Sequence, residues 1–161
     1  MSELDDIEHI KLLAQSDKSY KKYDFSSFNG LCKIVKITDG DTYHFVFRYN
    51  NGYHLGVARC IGVNTPELKS KDEELKKKAY FAKEFFERHF LNKIVKFRCF
   101  GIGSFGRYLC DFYPICDERL GDNCVDFDKL NAELAELCTF KDEMCFTQII
   151  LQSGMGVVYE K

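Results

Sequence analysis

The chain lacks any uninterrupted apolar run approaching the ~18 residues of a membrane span, which argues against a transmembrane helix. Basic residues are missing where a signal peptide needs them, since the N-terminus reads MSELDDIEHIKLLAQSD. An intracellular protein with no signal peptide and no membrane partner is therefore expected. Excess charge is also absent: a formal net charge of −2 does not resemble a dedicated nucleic-acid coating protein, so any polyanion contact must come from a local patch or a metal. The eight cysteines make up about 5% of the chain, below the ~8–10% of disulfide scaffolds, and are read as reduced thiols. Cys32, Cys60, Cys99 and Cys110 lie in apolar strand patterns and read as small buried hydrophobes. The later Cys116, Cys124, Cys138 and Cys145 lack the short paired spacing of a zinc knuckle. Internal repeats are lacking as well.

What is present is enough for one domain: 161 residues, 45% of them hydrophobic. Residues 1–28 read as a polar N-terminal arm carrying Lys18, Lys21 and Lys22, with a short helical pattern from Ile7 to Leu13. Residues 29–161 read as the folded domain, with an insert at about 115–143. A strand is expected from Leu31 to Thr38, ending where Asp39-Gly40 forces a turn. Tyr43, Phe45, Phe47 and Tyr49 alternate with His44, Val46 and Arg48, and beyond Asn50-Asn51-Gly52 a second alternation runs through Tyr53, Leu55, Val57 and Arg59. Period two on both sides of a turn predicts an antiparallel hairpin. A three-residue loop with Gly52 left-handed keeps the apolar sets on one face, pairing Phe47 with Leu55 and Tyr43 with Arg59 and setting Arg59 diagonally beside Asp41. The alternative two-residue loop would pair Phe47 with His54.

From Ser70 to Leu91 the spacing becomes helical, with Leu75, Ala79, Ala82, Phe86 and Phe90 on one stripe. The mixed charges of Lys69 to Lys78 read as a solvated helix face rather than a nucleic-acid patch. Strands are expected at Lys93–Phe100 and Arg107–Tyr113, joined by GIGSFG. Those glycines match a dinucleotide-binding spacing, but the segment after them reads as a strand and not as the helix such a site requires. A helix carrying Phe127, Leu130, Leu134 and Leu137, capped by Asp126 or Asp128, and a last helix from Met144 to Gln152 with Gly154 as its left-handed cap complete the pattern. The expected fold class is α+β: a five-stranded OB-type β-barrel with a helix between the third and fourth strands and C-terminal helices.

Four segments in order, ITDGDT, RCIGVNTPE, FGRYLCDFY and FTQIILQSGMGVVY, resemble the staphylococcal nuclease (thermonuclease) family over roughly residues 31–114 and 144–159. The resemblance implies a calcium-dependent nuclease that hydrolyses phosphodiester bonds of DNA or RNA, with single-stranded nucleic acid as its partner and no protein partner. Water attacks phosphorus and the 5′-oxygen leaves. By the family pattern the Asp41 carboxylate, the Asn64 side-chain oxygen and the Thr65 backbone carbonyl are the metal ligands, oxygen donors of the kind calcium takes. Glu67 is the general base, Arg59 and Arg107 are the phosphate clamps, and Phe105 and Tyr159 stack on the nucleotide. Asn64 stands where the family has a second metal-binding aspartate, which predicts weaker calcium affinity or use of another divalent ion such as Mg2+ or Mn2+.

Each residue also has a plainer reading. Asp39 and Asp41 suit a turn, Arg59 an ion pair across the strands, and Asn64 and Thr65 a polar loop. Glu67 suits a helix start and Arg107 a strand surface. His44, His54 and His89 read as surface or cross-strand residues rather than ligands. At the level of function, an inactive nucleic-acid-binding module and a protein-interaction domain using the inserted helix remain alternatives.

Overall fold

A computed structural model describes residues 3–19, 27–139 and 143–159. The period-two segments form strands: β1 (Asn29–Asp39), β2 (Thr42–Tyr49), β3 (Gly52–Cys60) and the short β4 (Val63–Asn64). The helical stripe forms α2 (Glu73–Phe90), which precedes β5 (Ile94–Ile102) and β6 (Tyr108–Tyr113). Beyond them lie α3 (Phe127–Leu137), α4 (Phe146–Gln152) and β7 (Val157–Val158), and α1 (Glu3–Gln15) stands near the N-terminus. Lys21 and Lys22 of the expected arm lie outside the described residues.

Five strands close a barrel in the order β1-β2-β3-β6-β5, with β3 and β6 parallel and the other pairs antiparallel. The protein is thus α+β around a closed five-stranded barrel. No helix among the described residues is long and apolar enough to cross a membrane. Between β5 and β6 the GIGSFG segment leads into a strand, as its sequence context predicts. Gly154 takes φ 76° after α4.

The hairpin register differs from the expected one by a single residue. Its loop is Asn50-Asn51, both left-handed at φ 51° and 61°, and Phe47 pairs with His54, Phe45 with Gly56 and Tyr43 with Ala58. Two consecutive left-handed residues are what a tight two-residue hairpin turn demands, and asparagine tolerates that conformation. The reason for the register lies inside the barrel. Tyr43, Phe45 and Phe47 fill it with rings, so the strand beside them must present small residues; a Cβ on Gly56 would sit 2.9 Å from the Tyr108 ring and 3.0 Å from that of Phe45. Tyr53 and Leu55, expected inside, point outward and are 75% and 64% exposed.

The four strand cysteines are buried, and no disulfide joins any of the eight cysteines. On α2 the buried stripe is Ala79, Ala82, Phe85, Phe86, His89 and Phe90, whereas Leu75 is 44% exposed. His89, expected at the surface, is buried against the Phe85 ring and bonded to Glu133 of α3. Arg88 reaches the same carboxylate, so the inserted segment is tied to the end of α2 while its Val125, Leu130 and Leu134 join the core. Asp126, one of the two proposed caps, accepts from the Lys129 N–H at 3.1 Å.

Candidate functional site

The turn from β1 into β2 is drawn tight by its own side chains. The Asp41 N–H donates to Asp39 Oδ1 at 3.0 Å, and the buried Tyr43 hydroxyl donates to the Gly40 carbonyl at 2.5 Å. Gly40 leaves no room for a larger residue: a Cβ there would lie 2.7 Å from Cβ of Ala82 on α2 and 2.9 Å from Cγ2 of Thr65. The turn is therefore wedged between α2 and the chain leaving β4.

Asp41, only 6% exposed, is the hub. Its Oδ2 accepts from the Thr65 N–H at 2.9 Å and faces Arg59 Nη1 at 3.2 Å, and its Oδ1 accepts from the Thr42 hydroxyl at 3.1 Å. Its backbone carbonyl takes the Cys60 N–H at 2.8 Å. Arg59 also donates to Asn64 Oδ1, and its guanidinium lies over the Tyr159 ring, 5.2 Å from the centroid. Tyr159 is positioned by its N–H to the Gly62 carbonyl at 2.9 Å and by the pairing of β7 with β4. Gly156 permits that pairing, because a Cβ there would run into the Asn64 carbonyl.

Electrostatics divide the two aspartates. Burial, then the hydrogen bond to Asp41 and that residue's charge, push the Asp39 carboxyl up to about 7. Burial pushes Asp41 the same way, but the bonds from Asp39, Thr65 and Thr42 together with the Arg59 charge outweigh it and hold Asp41 below the ordinary value. The two shifts run in opposite directions: Asp39 holds its proton more tightly than an ordinary aspartate and Asp41 less tightly.

Asp41, Arg59, Asn64, Thr65 and Tyr159 thus converge. The other three candidates stand apart from this network. Glu67 is exposed, and its carboxylate enters none of the salt bridges among the described residues. Phe105 sits at a loop tip, 95% exposed, with φ 62°. Arg107 precedes β6, whose Leu109 pairs with Arg59, so strand alternation puts Arg107 on the same outer face as Arg59; its buried Nε has no hydrogen-bond partner. Tyr43, Gly40 and Gly156 shape the site without having been singled out for it. Tyr43 carried a signal only as one more apolar strand residue, and the glycines carried one only as turn formers.

A cleft of about 290 Å³ lined by Asn64, Thr65, Pro66, Leu75, Lys78 and Met155 adjoins the cluster. A larger one, about 830 Å³, lies elsewhere, between Asn29, Lys96, Arg98, Tyr113 and Phe127. Volume does not single out the chemically equipped location; converging polar groups do.

No protein-family model and no curated protein matches the chain.

The donors around Asp41 fit a hard divalent cation. Among the described residues no three His, Cys, Asp or Glu side chains gather as a metal-holding group, so a cation here would depend on amide, hydroxyl or carbonyl oxygens beside the carboxylates. Here the oxygens on offer are the Asp41 and Asp39 carboxylates, the Asn64 amide and, at Thr65, the hydroxyl in addition to the backbone carbonyl expected from the sequence. Thr65 Oγ1 is buried with no hydrogen-bond partner. An orphaned buried oxygen on the residue whose N–H bonds the Asp41 carboxylate is an arrangement a cation would complete.

Proposed function

We propose that the protein is a metal-dependent nuclease of the staphylococcal-nuclease type on an OB-type barrel, hydrolysing phosphodiester bonds of DNA or RNA with calcium. The observation that carries this reading is the convergence of Asp41 in the β1–β2 turn, Arg59 at the end of β3, and Asn64 and Thr65 at and just after β4. Asp41, Asn64 and Thr65 would hold the cation, with Asp39 beside them. Bound there, it would neutralise charge on a phosphodiester. Eight cysteines with no disulfide among them support an intracellular setting.

The chain's own residues supply the rest. Arg59 is held by Asp41 and Asn64 on one side and by the Tyr159 ring on its face, which fixes its planar fork of donors before any substrate arrives. Such a fork stabilises charge gathering on non-bridging phosphate oxygens, which a lysine ammonium does not reproduce. Arg107 adds a second cation from the same face. Glu67, exposed and without an ion pair among the described residues, is available to take a proton from an attacking water, a role worth ~10²–10⁴-fold in rate. Phe105 offers an exposed ring on which a base can stack.

The test is cleavage of single-stranded DNA in calcium, followed by end-group analysis. Products with 5′-hydroxyl and 3′-phosphate ends, lost with chelator and reduced about 10²-fold or more in Glu67→Ala, are expected. Undiminished cleavage in that variant contradicts the assignment.

A second reading, a catalytically weak nucleic-acid-binding module, is favoured by one feature: Asn64 is neutral and Arg59 already engages both Asp41 and Asn64. Nucleic-acid binding without cleavage in any of Ca2+, Mg2+ or Mn2+ would select it. If Asn64→Asp tightens calcium binding and raises the rate, the nuclease reading gains. Micromolar calcium binding unchanged in that variant counts against Asn64 as a ligand.

A further inference from the structure

The larger cleft, about 830 Å³, has no part in the nuclease reading. Its floor is the outer face of β1, β5 and β6 beside Asn29. Asn29 and Asp39 are the two ends of β1, so the floor and the Asp41 turn are about 33 Å apart along the strand at ~3.3 Å per residue. One wall of the cleft comes from the segment at 115–143, through Ile115, Phe127 and Glu143. That segment lies outside the stretches that resemble the nuclease family.

Strand alternation decides what the floor carries. Val95, Phe97 and Cys99 of β5 face the barrel interior, so Lys96 and Arg98 face out, and both are exposed. Lys96 pairs with Leu31 and Tyr113, and Arg98 with Asn29 and Asp111. Asp111 is the one carboxylate in those rows, but it is buried and accepts from the N–H groups of Phe112 at 2.8 Å and Thr147 at 3.2 Å, so it is committed to the start of α4. Arg98 instead lies over the Phe100 ring, 4.9 Å from the centroid. Glu143 is exposed as well, and neither it nor Lys96 nor Arg98 enters a salt bridge among the described residues. Opposite charges thus share one cleft without meeting. A second cleft of about 280 Å³ shares Pro114, Phe127 and Glu143 with the first and continues it over Leu130, Leu134 and Met144. The bonds of Arg88 and His89 to Glu133 fasten α3 to α2, so this apolar wall is held in place.

We propose that this cleft binds a small aromatic acid, with its carboxylate at Lys96 and Arg98, its ring system against Tyr113 and Phe127, and a hydrogen-bond donor turned to Glu143. The volume lies within the ~300–1,000 Å³ of small-molecule sites, and a mostly apolar lining with a few charged groups is their usual make-up. Two cations two residues apart on one strand face suit a single anionic head, which they hold by charge-assisted hydrogen bonds. Glu143 accepts from an N–H or O–H and repels a second anion, so it selects against molecules charged at both ends. A polyanion, charged along its whole length, fits poorly for the same reason. The binding does not rest on the nuclease reading.

The probe is 6-hydroxy-2-naphthoate, whose own fluorescence reports binding to the full chain while amide NMR shifts report the place. Saturable binding with shifts at Lys96, Arg98, Ile115 and Cys116 is expected. Lys96→Gln/Arg98→Gln is expected to weaken it by about tenfold or more. The compound 2-naphthol, which keeps the ring system and lacks the carboxylate, is expected to bind about tenfold more weakly than the acid, and equally to the parent chain and to that variant. Naphthalene-2,6-dicarboxylate, with a second anion in place of the donor, is expected to bind the parent chain about tenfold more weakly than the hydroxy acid, and Glu143→Gln to restore its affinity. Lys96, Arg98 and Glu143 are exposed, and circular-dichroism melting matching the parent chain shows that each variant folds. A gain of affinity in Glu143→Gln is a result that misfolding does not produce. The proposal is overturned by an absence of saturable binding, by shifts centred on Asp41 and Thr65, or by unchanged affinity in the folded Lys96→Gln/Arg98→Gln chain. Dicarboxylate binding as tight as that of the hydroxy acid overturns the part given to Glu143.

Discussion

Two turns flank the candidate site, and they are built in opposite ways. The Asp39–Thr42 turn is buried, bridged by the Asp41 N–H and the Tyr43 hydroxyl, and wedged against Ala82 and Thr65. The loop from Gly103 to Arg107 is closed by its own backbone, with Gly103 N–H to the Arg107 carbonyl at 2.8 Å, and it carries Phe105 into solvent. One turn fixes oxygens to within bond distance of one another. The other displays an aromatic ring and a cation from a segment with few neighbours. The division suits phosphodiester chemistry, where a cation site has to be preorganised and a base-stacking surface has to accept different bases.

This contrast can be broken most strongly at its glycines. Gly40→Ala is expected to destabilise the protein by about 1–3 kcal/mol, because its methyl group meets Ala82 and Thr65 in a packed interior. Gly106→Ala meets nothing within 4 Å and suffers only from φ 70°, so about 1 kcal/mol is expected. Urea unfolding of both variants checks the order; equal losses would mean that the two turns are equally constrained.

A smaller effect separates the two aspartates by pH. The Asp39 carboxyl is raised to about 7 in the folded protein, so the fold binds that proton more tightly than the unfolded chain does. Its contribution to stability is complete below the ordinary aspartate range and is lost as pH rises through about 7. Asp41 is shifted downward, so its contribution is present above the ordinary value and is lost only in acid, outside this window. The melting temperature of the parent chain relative to Asp39→Asn is therefore expected to fall between pH 5 and pH 8. A flat difference would show that Asp39 carries no extra proton. Smallest of all, Phe105→Ala is expected to change stability by less than about 0.5 kcal/mol, since the residue is 95% exposed, while weakening oligonucleotide binding.

Alternation and helical spacing made the strands and α2 legible, and buried cysteines followed from their place in apolar strands. The hairpin register was not legible, because matching hydrophobic faces assumes that the largest apolar residues all point inward. In a barrel this narrow, the rings of β2 leave space only for Gly56, Ala58 and Cys60 beside them, and Tyr53 and Leu55 turn out. The adjacency of Asp41 and Arg59 survived the one-residue error. Asp41 lies in the turn outside the paired register, where its side chain is aimed by Thr65 and Thr42 rather than by strand alternation. Tyr159 came to the cluster through the β4–β7 pairing, a contact between distant segments that local pattern does not encode. The bond between His89 and Glu133 was hidden for the same reason.

The convergence at Asp41 is tested most directly by the rate of single-stranded DNA cleavage in the parent chain and in Asp41→Ala, each measured in calcium and in chelator. Calcium-dependent cleavage by the parent chain, lost in chelator and lost in Asp41→Ala while the variant remains folded, is the predicted result. Cleavage that proceeds in chelator, or that continues undiminished without the Asp41 carboxylate, would contradict it.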